Sequence, residues 1–157
     1  MMGYRPELLY KGASLMKTRI LFICRHNSGR SQIAEAYLKQ MGEHDFYVES
    51  AGLEPADSVN PLVIEVMKEE GIDLSRQKPQ SVFNKFKEGA LYDHVITVCA
   101  DSEDKCPIFP GIVKRWHMPF PDPSGVEGTH EEKLTAVRDI RDQIRQWLTE
   151  SMDSLRK

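Results

Sequence analysis

The 157-residue sequence has no basic excess, no long apolar run and only three cysteines. A formal net charge of −3 leaves bulk composition nothing with which to attract nucleic acid or an anionic membrane. An anionic ligand would need a local positive site instead. No stretch approaches the roughly 20 apolar residues of a membrane span. Residues 1–15 carry single basic residues but no apolar core of useful length, which argues against a secretory signal. A cytoplasmic location is therefore expected, and there the cysteines are not expected to form structural disulfides. Internal repeats, low-complexity tracts and linkers are also absent, so no repeat architecture or second domain is indicated.

What is present is ordinary for one globular domain: 40% hydrophobic and 29% charged residues, in a chain long enough to bury a core without staples. Met16, followed by Lys17-Thr18-Arg19, reads as a natural start. Residues 1–16 are taken as a poorly ordered extension, an upstream start or an added segment, and 17–157 as a single catalytic domain. Arg19–Cys24 (RILFIC) is a continuous apolar run, the pattern of a strand buried on both faces. Gln32–Met41 has helical spacing and stops before Gly42. Phe46–Ser50 reads as a strand and Pro61–Glu70 as a helix, with Pro61 in its first turn and Gly71 at its stop. Val95–Val98 and Val113–His117 read as two further strands. A long helix begins at the capping box of Thr129 and Glu132, with Leu134, Val137, Ile140, Ile144, Trp147 and Leu148 on its apolar face. Alternating strands and helices predict an α/β fold: an open four-stranded parallel sheet with helices on both faces.

The chemistry concentrates between the first strand and the first helix, in Cys24-Arg25-His26-Asn27-Ser28-Gly29-Arg30-Ser31. Backbone N–H groups over this span can wrap a tetrahedral oxyanion, and the following helix aims its N-terminus at the same point. Arg30 can grip two oxygens in bidentate fashion. Cys24 then lies beneath the central atom, with its thiolate favoured by Arg30, the helix dipole and a hydrogen bond from Ser31. Asn27 is expected to stiffen the loop through side-chain to backbone hydrogen bonds. A Cys and an Arg six residues apart also occur by chance. The buried strand before them, the helix after them and the neighbouring Ser give the spacing its weight. An open sheet also binds its ligands at the C-terminal ends of its strands, where this loop lies.

LFICRHNSGRSQIAEAYL closely resembles the anion loop of the low-molecular-weight protein tyrosine phosphatases and their relatives, the thioredoxin-coupled arsenate reductases. The resemblance continues through Ser50-Ala51-Gly52, Asn60-Pro61, MKEEGIDLS (67–75), residues 95–110 and Phe120–Pro123, nearly everything from about Thr18 onward. It implies this fold, with Cys24 as nucleophile and Asp122, in Phe120-Pro121-Asp122-Pro123, as general acid. Without it, an Asp before a Pro is as readily turn chemistry.

Cys99 and Cys106 divide the two branches. Read alone, they suit a buried residue and an incidental one. Their spacing is too long for a C-x-x-C pair, and no second pair completes a zinc site. Read with the resemblance, they match the redox pair of the reductases. Gln32 stands where the phosphatases commonly carry Pro, and Ser124-Gly125-Val126 replaces their aromatic residues after the acid; both departures favour the reductase.

The resemblance then implies a relay. Cys24 attacks arsenate, Cys99 attacks Cys24 to release arsenite, and Cys106 attacks Cys99 to leave a disulfide that thioredoxin reduces. Segment 100–105, polar and read as a short exposed helix or loop, has to move. No bound cofactor is expected, since reducing equivalents come from thioredoxin. Arsenate is the expected substrate, phosphate and sulfate its mimics, and the protein is expected to act as a monomer. A tyrosine-type phosphatase and a non-catalytic oxyanion-binding redox module are the alternatives.

Residues 25–30 are assigned to oxyanion binding, although the Arg25 side chain is read as exposed and the His26 ring as pointing outward. Gly29 replaces a second loop cysteine found in some reductases. Asn27, Glu35 and Ser50 match a potassium site of some relatives, but Gln80 stands where a carboxylate is needed. No metal is assigned there or at His117.

Overall fold

A computed structural model describes residues 17–100 and 104–156. The readings of 1–16 as an extension and of the middle of segment 100–105 fall outside these residues. Four strands, β1 (Thr18–Cys24), β2 (Phe46–Gly52), β3 (His94–Thr97) and β4 (Lys114–His117), form one all-parallel sheet in the order β2-β1-β3-β4. Crossovers run through α1 (Arg30–Met41), α2 (Pro61–Lys68) and α3 (Val82–Lys87), and the chain closes with α4 (His130–Leu155). This is the expected doubly covered α/β sheet.

β1 is central and its Ile20, Leu21, Phe22 and Ile23 are completely buried. Successive strand residues point to opposite faces, so they feed two cores. Ile20, Phe22 and Cys24 join Ile33, Val63, Ile96, Ile144 and Leu148 on the face covered by α1, α2 and α4. Leu21 and Ile23 join Ala51, Val82, Tyr92, Val95, Cys106 and Phe109 on the other face. That second face is covered by short α3 and the segment after β3, which explains why no long amphipathic pattern announces it.

Local signals set the helix ends. Pro61 opens α2 behind Asn60, whose Oδ1 accepts from Leu62 N at 2.9 Å. The Thr129–Glu132 capping box is complete. Several boundaries differ from the sequence reading. α1 starts two residues earlier, at Arg30, because the anion loop itself turns into the helix. β2 runs on to Gly52, where the 80–81 segment pairs with its outer edge. α2 ends at Lys68, two residues short of Glu70, because Gly71 N bonds back to Lys68 O at 3.0 Å with φ of +76°. β1 gains Thr18, β3 is His94–Thr97, and β4 begins at Lys114. α3 has no counterpart in the sequence reading; six residues are too few to show a helical period.

Candidate active site

The loop from Cys24 to Arg30 is held from outside by its carbonyl groups. Cys24 O accepts from Leu53 N at 3.2 Å, Arg25 O from Glu54 N at 2.7 Å, His26 O from Ala56 N at 3.0 Å and Ser28 O from Asn60 N at 2.8 Å. In a planar trans peptide the N–H points opposite to the C=O. Turning the carbonyls outward therefore turns the N–H groups of residues 25, 26, 27 and 29 inward, as an anion cradle requires. Asn27 N does reach the Cys24 sulfur, at 3.2 Å.

Asn27 is the keystone of the loop. It is fully buried at a left-handed φ of 53°, a region Asn tolerates better than most residues. Its Nδ2 donates to Ser31 Oγ at 2.7 Å and Ser50 Oγ at 2.9 Å. Its Oδ1 accepts from Gln80 N at 2.8 Å and Gln32 Nε2 at 3.2 Å. Gln32 also donates to Asn27 O at 3.1 Å. The anchoring is thus mostly side chain to side chain, not the side-chain to backbone pattern expected. It gives Gln32 a task beyond replacing a proline.

Two glycines allow close approach. A Cβ on Gly52 would lie 2.8 Å from Asn27 N and 2.9 Å from Arg25 O, so the loop crosses β2 where no side chain fits. A Cβ on Gly29 would lie 3.0 Å from Pro123 Cγ, which lets the Asp122–Pro123 turn rest against the start of α1. In the sequence Gly52 is only the last residue of Ser50-Ala51-Gly52; nothing in one sequence reveals which glycine a neighbouring backbone crosses.

Cys24, His26, Ser28, Gly29, Arg30, Asn60, Asp122, Pro123 and Ser124 line one small cavity of about 20 Å³. Cys24 is 2% exposed, and its sulfur is 2.9 Å from Ser31 Oγ. Arg30 donates to Phe120 O at 3.0 Å and faces Asp122 Oδ2 at 3.7 Å, so guanidinium, carboxyl and thiol converge on this cavity. A larger groove of about 530 Å³ runs along the outer side of β2; Cys24, Arg30 and Asp122 line the smaller cavity and not this groove.

Burial pushes the Asp122 carboxyl up. Two hydrogen bonds that Asp122 Oδ1 accepts from Ser124, from its backbone N–H (2.9 Å) and its hydroxyl (2.8 Å), together with Arg30 and His26, more than reverse this and hold it below its ordinary value. His26 departs from its reading as an outward group. Its Nδ1 is 2.9 Å from Glu54 O, it lines the cavity and its charge bears on Asp122. The Arg25 side chain is partly exposed and pairs with Glu54 at 3.5 Å, outside the cavity.

Cys99 follows Val98, whose N–H donates to Ile23 O at 2.8 Å, so the second cysteine lies one strand over from the first and in the same core. Cys106 is buried in the other core. None of the three is in a disulfide. At the candidate potassium position, Glu35 accepts from Ser50 Oγ at 2.5 Å and pairs with the Lys39 ammonium at 2.5 Å, while Gln80 contributes its backbone N–H to Asn27. Among the described residues no cluster of His, Cys, Asp and Glu could hold a metal ion, and no helix is long and apolar enough to cross a membrane.

Comparison with known proteins places this geometry in context. The model of the low molecular weight phosphotyrosine protein phosphatase family matches residues 19–157. Arsenate reductase of Bacillus subtilis is 43% identical over 125 residues, covering 80% of this chain and 88% of that protein. A solved arsenate reductase in its phosphate binding state is 28% identical with a TM-score of 0.68, covering 88% of this chain and 98% of the other. A thioredoxin-dependent arsenate reductase of Corynebacterium glutamicum is 30% identical with a TM-score of 0.62, covering 88% of this chain and 63% of that longer one.

Proposed function

The chain belongs to the low molecular weight phosphotyrosine protein phosphatase family, and from that premise we propose that it is a cytoplasmic, monomeric arsenate reductase regenerated by thioredoxin, with no bound cofactor. The observation that carries this reading is the second thiol beside the nucleophile. Val98 is hydrogen-bonded to Ile23 and Cys99 shares a core with Cys24. A strand spacing of about 4.8 Å puts Cys99 near the Cα separations that a disulfide accepts. Hydrolysis of a phosphate ester has no use for that thiol.

In the proposed reaction the inward N–H groups and Arg30 hold arsenate, as the phosphate-bound relative suggests for tetrahedral oxyanions. The Cys24 thiolate attacks arsenic, an As–S bond forms, and one oxygen leaves as water after protonation. At rest Arg30 and Ser124 keep Asp122 ionised. When the oxyanion draws Arg30 away, Asp122 becomes more basic and can carry the proton to the leaving oxygen. Cys99 then attacks the Cys24 sulfur; the As–S bond breaks, its electron pair leaves with arsenic as arsenite, and a Cys24–Cys99 disulfide remains. Cys106 attacks Cys99, Cys24 departs as thiolate, and thioredoxin reduces the resulting Cys99–Cys106 disulfide.

The cradle, Arg30 and Asp122 would serve an aryl phosphate equally well, which keeps a phosphatase as the second reading. The test is NADPH oxidation with thioredoxin, thioredoxin reductase and arsenate, run beside aryl phosphate hydrolysis. Sustained arsenate-dependent oxidation is expected. Hydrolysis without any such oxidation would establish the phosphatase.

A further inference from the structure

The third cysteine has a neighbour that no step above uses. Cys106 lies in the second core beside Val95, Tyr92 and Phe109, and its thiol donates to Pro107 O at 3.3 Å. Arg115, on the edge strand β4, pairs in register with Val95. Partners across a ladder share a face of the sheet, so the Arg115 side chain leaves β4 on the same face as Val95. Val113, two residues earlier, packs against that core as well. Arg115 itself is exposed, so it stands at the rim of the core that holds Val95 and Cys106.

We propose that Arg115 is the positioning residue for Cys106 in thiol–disulfide exchange, holding the sulfur as a thiolate directed at Cys99 once it leaves the core. This rests on the reductase reading above. The step is an exchange without net oxidation. The Cys106 proton passes to solvent, and the thiolate attacks Cys99 Sγ of the Cys24–Cys99 disulfide. The 99–106 bond forms, the 24–99 bond breaks, and its electron pair stays on Cys24.

The surroundings make a cation necessary here. Burial raises the pKa of the Cys106 thiol, and the positive charge of Arg115 is what opposes that. The other titratable groups nearby are committed or turned to water. Tyr92 donates to Glu49 at 2.5 Å, Glu49 pairs with Lys85 at 3.3 Å, and Asp104 and Lys105 are exposed. An exposed arginine on an edge strand can keep contact with the sulfur as it emerges, which a buried group could not.

The test is a single turnover with arsenate and no thioredoxin, quenched by alkylation and mapped for disulfides. In the wild type the 99–106 disulfide should be the end product. In Arg115→Gln the 24–99 disulfide should accumulate, its conversion slowed roughly tenfold, the order expected for losing one charge-assisted hydrogen bond to a thiolate. The pH profile of that conversion should move up by about one unit, and Arg115→Lys should recover most of the rate. Equal conversion rates and pH profiles in wild type and Arg115→Gln would overturn the role of Arg115 alone. Absence of any arsenate-dependent 99–106 disulfide in the wild type would overturn both the relay and this role. Unfolding of Arg115→Gln is checked by circular dichroism, and an Arg115→Lys variant as slow and as shifted in profile as Arg115→Gln would also count against the proposal.

Discussion

Cys99 and Cys106, seven residues apart in the chain, are buried on opposite faces of the same sheet. A disulfide cannot span a sheet, since it requires Cα atoms within about 7 Å. The proposed relay therefore needs Cys106 to leave its core, and Phe109 is the residue that resists. It is 3% exposed and packs edge-on against Phe86 and Tyr92, at 5.8 and 5.3 Å between ring centroids. Phe109→Ala should lower stability by about 3 kcal/mol and raise the alkylation rate of Cys106 at least tenfold. An unchanged alkylation rate would mean that this packing does not gate the thiol.

The anion loop depends on Asn27 for two separable reasons, its hydrogen bonds and its left-handed backbone. Asn27→Ala loses both and should cost roughly 2–4 kcal/mol, the penalty for stranding two or three buried polar groups. Asn27→Gly keeps the backbone freedom and should cost measurably less in urea unfolding. Equal losses in the two variants would show that the φ of 53° carries no strain.

Gly52 should tolerate no side chain. With a Cβ 2.8 Å from Asn27 N, Gly52→Ala has to displace the loop and should weaken phosphate binding more than tenfold by calorimetry. Gly125→Ala, where nothing lies within 4 Å of the added atom, is the matched control and should bind as the wild type does.

His94 predicts an acid limb of stability. It is fully buried on β3, its Nδ1 accepts from Trp116 Nε1 at 2.9 Å, and its Nε2 meets the Leu155 carbonyl without completing a hydrogen bond. Burial, joined by Lys114, holds its pKa below the ordinary 6.5. The unfolded chain then binds a proton that the folded one refuses. Stability is highest above the unfolded value and falls as pH drops through about 6.5 toward the lower folded value. The urea midpoint should fall between pH 7.5 and 5.5, and His94→Gln should show a smaller fall. A wild-type midpoint flat across this range would contradict the assignment.

The strand-loop-helix frame was legible because each part has a local cause: the apolar run of β1, the Cys-to-Arg spacing, Pro61 after Asn60, and the Thr129 capping box. The bonds that hold the site were not, because they join residues distant in sequence, such as Asn27 with Gln80 or Arg30 with Phe120. His26 illustrates the gap. Its neighbours in sequence suggest an outward ring, while the bond to Glu54 O and the nearness of Asp122 exist only once β2 and the acid turn are folded. Cys106 is the other case, a residue legible as half of a pair whose burial on the far face follows from the chain path after β3.

The central claim is that Cys24 begins a reduction completed by Cys99 and Cys106. Arsenate-dependent NADPH oxidation through thioredoxin should be abolished in both Cys99→Ser and Cys106→Ser, while phosphate still binds the loop with wild-type affinity. Normal arsenate turnover by both variants would contradict the relay.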